Sequence, residues 1–155
     1  MTEARPTEAD IFAHFHDVRI DRDNIAHYRG LMEGRLLINR CDDCGRWIYP
    51  HRPLCPDCLS WTVTPTEVGG RARLHMWTLI HQSRDPDNPL VEPIVAAAVE
   101  LAEQPGLRYL SRIVGCPLPA LRHDMALRLT WVEEEGRRWP AFEPAARAEG
   151  GAAHG

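Results

Sequence analysis

A chain of 155 residues, 44% hydrophobic and 26% charged, is long enough for one ordinary domain with a buried core, or a small domain with a stapled appendage. Its formal net charge of -4 and pI near 6.0 provide no long-range attraction to phosphate backbones or anionic lipid. All 18 basic residues are arginine, which excludes Schiff-base catalysis by a lysine of this chain.

Residues 1–6 read as a loose start. Thr7-Glu-Ala-Asp10 then resembles a capping box with Asp in the Glu position, opening a short helix through Phe12 and Phe15. Asp21 or Asp23 is the expected cap of a second helix, with Ile25, Tyr28, Leu31 and Met32 on one apolar face. Gly34 is placed to terminate it. That apolar face must cover either the chain's own core or another chain. Residues 1–30 scatter charge and hold no apolar stretch, so no secretory signal is expected. The longest uncharged apolar run, Ile94–Val99, is far too short for a bilayer. Paired thiols without a signal point to the cytoplasm.

Leu36-Leu37-Ile38 leads as a short strand into Cys41-Asp-Asp-Cys44-Gly, and ten residues later comes Cys55-Pro-Asp-Cys58. Two C-x2-C pairs this close can bring four thiolates to the corners of one tetrahedron, the geometry Zn2+ prefers. The insert is shorter than in the usual zinc ribbon, so a compact rubredoxin-like pair of knuckles is expected. Iron in the same cage is the alternative. Four sulfur ligands leave no open position for substrate, so the metal is expected to be structural.

Trp61–Val68 alternates loosely and ends at the Gly69-Gly70 turn. Arg71–His81 alternates again, with Leu74, Met76 and Thr78 on one side and Arg73, His75, Trp77 and Leu79 on the other. Residues 83–93 form a Pro/Asp-rich loop. Ile94–Leu101 reads as helix by its alanines, or as a buried strand by its β-branched residues and flanking prolines. After the Gln104-Pro105-Gly106 turn, Leu107–Val114 is a strand, Pro117–Arg122 a short helical connection, and Met125–Glu133 another strand. Gly136 then turns the chain toward Trp139-Pro-Ala-Phe142. From Ala145 onward, Ala, Gly and charge predict disorder. Five short strands with a helical connection before the last suit a small OB-type barrel, though periodicity alone leaves a split β-sandwich open.

The motifs Tyr28-Arg-Gly-Leu31, Glu33-Gly-Arg-Leu-Leu37, Arg40-Cys41-x-x-Cys44-Gly-Arg46, Pro50, Arg52-Pro53 and Cys55-Pro56-x-Cys58 occur in this order. They are followed by a strand ending in His81, then Pro93–Leu101, then Pro140-Ala-Phe142-Glu-Pro144. This series resembles the family of OB-fold proteins with an N-terminal rubredoxin-like zinc ribbon, domain-of-unknown-function family thirty-five, over about residues 22–145. The resemblance implies a mainly β chain: a helical arm (7–35), a zinc ribbon (36–60), a five-stranded OB barrel (61–144) and a disordered tail (145–155). It resolves Ile94–Leu101 as a strand. It further implies a companion subunit that binds or positions acyl-CoA for a thiolase-like enzyme, such as a thiolase, an acyltransferase or a steroid side-chain aldolase. Two glycines of the family pattern are replaced here, by Leu59 after the fourth cysteine and by Asp124 before Met125.

For an acyl-CoA role, guanidinium groups would take the phosphates. Arg71, Arg73, Arg84, Arg108 and Arg112 lie near the barrel strands and the long loop, with Trp77 and His81 beside them as ligand or partner contacts. Met76, Leu79, Leu90 and Val91 are the candidate apolar lining. Catalysis by the chain itself has little to stand on. His75 and His81 would share a strand face, His14 and His16 sit near Asp10 and Asp17, and His51 lies between the knuckles. No nucleophile motif accompanies any of them, and Cys116 has no evident base. A single-stranded nucleic-acid binder, with Trp77, Tyr109 and Trp131 stacking bases, is the alternative that an OB barrel raises; the acidic balance weighs against it.

Overall fold

Thr7 starts the first helix as its sequence requires. In the computed structural model, which describes residues 4–146, the Thr7 hydroxyl accepts from the Asp10 N–H at 3.3 Å and the Asp10 carboxylate accepts from the Thr7 N–H at 2.8 Å. Helix α1 (Glu8–His14) buries Ile11, and Phe15 at its C-cap is equally buried, while Phe12 faces outward. Helix α2 (Ile25–Met32) follows a turn that Asp21 caps by accepting from the amides of Asp23 (2.9 Å) and Asn24 (3.2 Å); Asp23 caps nothing. Its N-cap residue is Asn24, which makes no side-chain cap bond. Leu31 is buried and Ile25, Tyr28 and Met32 pack beside it, so the arm covers the chain's own core. Gly34, at φ +72°, ends α2 in the left-handed conformation that glycine adopts without cost.

The chain then builds a three-stranded sheet of order β2-β1-β3: β1 (Leu37–Cys41), β2 (Trp47–Ile48) and β3 (Val63–Glu67). β3 runs the full length of β1, from Leu37↔Glu67 to Cys41↔Val63. The expected boundary after residue 60 therefore cuts through this sheet, because β3 pairs with the ribbon and with no barrel strand.

The barrel closes in the order β4-β5-β6-β8-β7 from β4 (Arg71–Ile80), β5 (Ile94–Leu101), β6 (Arg108–Ile113), β7 (Ala126–Glu134) and β8 (Arg137–Pro144). The expected number of five strands is correct, but the membership differs: Trp61–Val68 leaves the set and Arg137–Pro144 enters it. Pro140 masks β8 in the sequence. Its carbonyl accepts from the Ser111 hydroxyl at 2.8 Å, so the missing N–H falls on the side facing β6. There the parallel closure is a single pair, Ile113↔Phe142, and a proline breaks no continuous ladder. Leu118–Ala120 forms the expected short helical connection.

A bulge between Leu74 and Met76 also changes the expected faces of β4. Ala72 and Leu74 point into the core, whereas every residue from Met76 to Ile80 is exposed. One continuous core joins the arm (Ile11, Phe15, Leu31) to the barrel (Leu74, Val99, Leu127, Phe142), and a small second cluster of Cys41, Ile48 and Cys55 sits under the knuckles. The predicted disorder from Ala145 onward falls almost wholly on 147–155, outside the described residues. Among the described residues no helix is long and apolar enough to cross a membrane.

Candidate metal centre

The two cysteine pairs fold as near-copies of each other, fourteen positions apart. In the first knuckle the Cys41 N–H donates to the Arg46 carbonyl (2.8 Å) and the Gly45 N–H to the Cys41 carbonyl (2.9 Å). In the second the Cys55 N–H donates to the Ser60 carbonyl (2.9 Å) and the Leu59 N–H to the Cys55 carbonyl (3.1 Å). Both turns need a left-handed residue after the second cysteine: Gly45 at φ +77° and Leu59 at φ +59°. β1 delivers Cys41 at its last position, and the β2 side returns the chain to Cys55.

The four Sγ atoms lie within 4.8 Å of one another, with Cys41–Cys58 at 3.6 Å and Cys44–Cys55 at 3.5 Å. Tetrahedral ZnS4 with bonds near 2.3 Å needs sulfurs about 3.8 Å apart, so the quartet fits one ion with little movement. Cys41 and Cys55 are buried; Cys44 and Cys58 stand at the surface. The Cys58 amide aimed at Cys55 lowers that thiol to about 7. The Ser60 amide favours the Cys58 thiolate, yet burial and the thiols of Cys41, Cys44 and Cys55 outweigh it and push Cys58 up to about 12. Four thiolates this close are compatible only with a cation among them. The donor set fills a tetrahedron and leaves no place for a reacting water.

Side chains far away in sequence fix the ribbon on the barrel. Gln104, read from sequence only as part of a turn, accepts from the Trp47 N–H (2.9 Å) and donates to the Trp47 carbonyl (3.1 Å). Behind the insert between the knuckles, His27 and His51 share the Leu37 carbonyl, at 3.1 and 3.3 Å. His51, a substitute ligand by sequence, is held by the Leu37 carbonyl and does not join the four converging thiols. His27 Nε2 accepts from the Tyr109 hydroxyl at 3.4 Å. Together with Asp21, Asn24, Tyr28, Tyr49 and Pro50, the two histidines line a cavity of about 310 Å3 where arm and ribbon meet. Neither Gln104 nor His27 carries a local sequence signal.

The remaining sequence candidates do not form one cluster. Strand register puts Arg73, Glu100 and Arg108 in one row, and Arg71 lies at the same end. Trp77, His81, Arg84 and Arg112 lie toward the other end. Arg73 pairs with Asp124 (3.3 Å), Arg108 with Glu100 (3.8 Å) and Arg112 with Glu134 (3.0 Å). Arg71 and Arg84 are exposed and make no ion pair among the described residues. The bulge removes the shared face expected of His75 and His81; the His75 carbonyl accepts from His123 Nδ1 at 2.7 Å. Tyr109 is buried and offers no stacking surface, which removes one of the three aromatics of the nucleic-acid reading. Cys116 is half-buried beside a groove of about 600 Å3 lined by Ile94, Val95, Arg112, Ile113, Val114 and Pro117–Pro119 among others.

The family model described as the ChsH2 rubredoxin-like zinc ribbon domain matches residues 29–62, and that of the ChsH2 C-terminal OB-fold domain matches residues 65–132. A probable enoyl-CoA hydratase alpha subunit of Thermomonospora curvata is 32% identical over 132 residues, covering 84% of this chain and 40% of that protein. The chain thus spans well under half of that relative's length. A DUF35 domain-containing scaffold protein of Methanothermobacter thermautotrophicus is 30% identical over 101 residues, 63% of this chain and 74% of that one. Among solved structures, a chain of the Ltp2-ChsH2(DUF35) aldolase superposes with a TM-score of 0.73 at 30% identity, covering 83% of this chain and 99% of that chain. Knuckles, barrel and relatives agree: the chain belongs to the DUF35 family, a rubredoxin-like zinc ribbon followed by an OB-fold domain.

Proposed function

We propose that this chain is the non-catalytic partner subunit of a thiolase-like or aldolase enzyme, helping to bind and position an acyl-CoA thioester in the cytoplasmic degradation of steroids or other lipids. The observation that carries this reading is the superposition on 99% of a DUF35 chain from an aldolase structure. The chain's own surface supports it. β7 pairs only with Arg71–Arg73 of β4, so the far half of β4 has a free edge on which Met76, Trp77, Leu79 and Ile80 are all exposed. An uncharged, apolar, unpaired edge is a surface that a partner covers.

In this reading Cys41, Cys44, Cys55 and Cys58 hold Zn2+, which supplies a cross-link and no reactive position. The exposed guanidinium of Arg84, with Arg112, Trp77 and His81 at the same end of the barrel, would meet the CoA phosphates and the partner; at the opposite end Arg71 is the exposed cation without an ion pair among the described residues, beside Arg73 and Arg108, which are each engaged by a carboxylate. The apolar strip along β4 would keep water from the thioester while the enzyme carries out the carbon–carbon chemistry.

The test is affinity purification of the tagged chain from its native host. A thiolase-like or aldolase enzyme should co-purify, elemental analysis should give about one zinc per chain, and the isolated chain should turn over no acyl-CoA. Cys44→Ser should lose both zinc and enzyme. Turnover by the pure chain, or normal assembly of Cys44→Ser, rejects the proposal.

A further inference from the structure

The second knuckle contains a residue whose conformation the rest of the chain does not reward. Its turn requires a left-handed residue, which the first knuckle supplies as Gly45. The second uses Leu59 at φ +59°, where a Cβ meets the following carbonyl. Burial could offset that cost, but Leu59 is 65% exposed and belongs to neither apolar cluster. Two positions on, Trp61 is 71% exposed. Backbone strain retained without internal compensation marks a side chain kept for contact with something else.

The surroundings specify what that contact must be. The Asp43 carboxylate accepts from the hydroxyl of Ser60, the residue between the two apolar side chains. Asp42 accepts from Thr64 (2.7 Å), and its N–H donates to the Thr62 carbonyl (2.9 Å). Both carboxylates are exposed beside the 59–61 segment, satisfied by neutral hydroxyls and, among the described residues, paired with no cation; Asp57 is neutralised by Arg46 at 3.3 Å. Arg40 is engaged with Trp47, 5.4 Å from its ring, and with the Gly45 carbonyl. The tip of the ribbon is therefore an apolar pair with an acidic rim.

We propose that Leu59 and Trp61 are the anchor by which the ribbon docks into an apolar pocket of the partner enzyme rimmed by arginine or lysine. This rests on the partner-subunit reading and adds where the contact is made and what chemistry meets it. An aromatic and an aliphatic side chain seated in a desolvated pocket carry a large share of binding, and the carboxylates set register and on-rate.

The anchor makes stability and binding move in opposite directions. In Leu59→Gly the turn loses its strain, and the thermal midpoint of the isolated full-length chain should rise, while affinity for the enzyme recovered with the wild-type chain should fall by about tenfold or more. Leu59→Ala keeps the strain and should lose affinity with no gain in midpoint. Trp61→Ala should weaken binding with little change in stability. The Asp42→Asn, Asp43→Asn double variant should weaken binding at low salt and flatten its salt dependence. Leu59→Gly and Trp61→Ala chains that both bind within about twofold of wild type would overturn the anchor while leaving the subunit reading intact. A wild-type chain that recruits no thiolase-like or aldolase enzyme ends both.

Discussion

Arg137, the first residue of β8, holds the carboxylate of Asp17, in the turn that follows α1, through two hydrogen bonds, Nη1 to Oδ1 and Nη2 to Oδ2 (3.2 Å). The same guanidinium reaches Glu135 at 3.0 Å and lies 5.5 Å from the Trp139 ring, on which Phe15 of the arm also packs at 5.4 Å. An ion pair and an aromatic contact thus clamp the arm to the barrel at one point. The hydrogen bonds from Arg137 hold the Asp17 carboxyl below its ordinary value of 3.8. A depressed carboxyl stabilises the fold above its unfolded pKa, and that contribution is lost as pH falls through the folded value. Asp17→Asn should therefore lower the thermal midpoint at neutral pH, and the gap from wild type should close below about pH 4. Arg137→Ala should cost more at every pH, because it also uncovers Trp139. A gap that persists in strong acid would show that the pair is not what Asp17 contributes.

His27 gives the acid limb a second, steeper source. Burial first, and the neighbouring His51 second, lower it from 6.5 to about 4 against the opposing pull of the Leu37 carbonyl. The neutral ring donates from Nδ1 to Leu37 and accepts the Tyr109 hydroxyl at Nε2; protonation would leave that hydroxyl facing an N–H. Because the folded pKa is below the unfolded one, full stability is present above about pH 6.5 and declines as pH falls toward 4. A shift of this size corresponds to about 3 kcal/mol across that window. Half-buried His51 is lowered chiefly by the same desolvation and adds to the loss with the same sign. Urea titrations from pH 7 to 4 should show the decline, and His27→Gln should flatten most of it. An equally steep decline in that variant would assign the acid sensitivity elsewhere.

What was legible in the sequence was local. The capping box at Thr7 and Asp10, the helix stop at Gly34 and the two knuckles are written in residues three to five apart, where steric and hydrogen-bonding rules leave few alternatives. Even the two departures from the family pattern, Leu59 and Asp124, are positive-φ positions, at +59° and +64°. The rest depends on partners far along the chain. Gln104 reaches Trp47 across 57 positions and Tyr109 reaches His27 across 82, and no periodicity announces either. β8 was hidden by Pro140, tolerated only because of which side of the strand its nitrogen faces, and the outward turn of β4 by a one-residue bulge. For the arginines, residue type is legible in the sequence but the end of the barrel is not; register alone separates Arg73 and Arg108 from Arg112.

Gly30 sets propensity against packing. It lies inside α2, where alanine would favour the helix by about 1 kcal/mol. However, its carbonyl accepts from the Arg35 N–H at 2.7 Å while the Gly34 N–H donates to the Leu31 carbonyl at 3.1 Å, the two bonds that fold the chain back over the helix end. The returning segment passes so close that a Cβ on residue 30 would sit 2.7 Å from the Arg35 carbonyl oxygen and 2.9 Å from Leu37 Cγ. The first neighbour is backbone and the second is a buried side chain at the start of β1, so neither has room to withdraw. Gly30→Ala should destabilise the chain by about 1–3 kcal/mol, opposite in sign to its effect on an isolated helix. Gly34→Ala should also destabilise it, through positive φ and a 2.8 Å approach to Arg138 Nη1, whose side chain can swing away, so the loss there is mostly backbone strain. Denaturant midpoints of the two variants measure both effects. A Gly30→Ala chain more stable than wild type would mean that helix propensity, and not the close return toward Leu37, governs this turn.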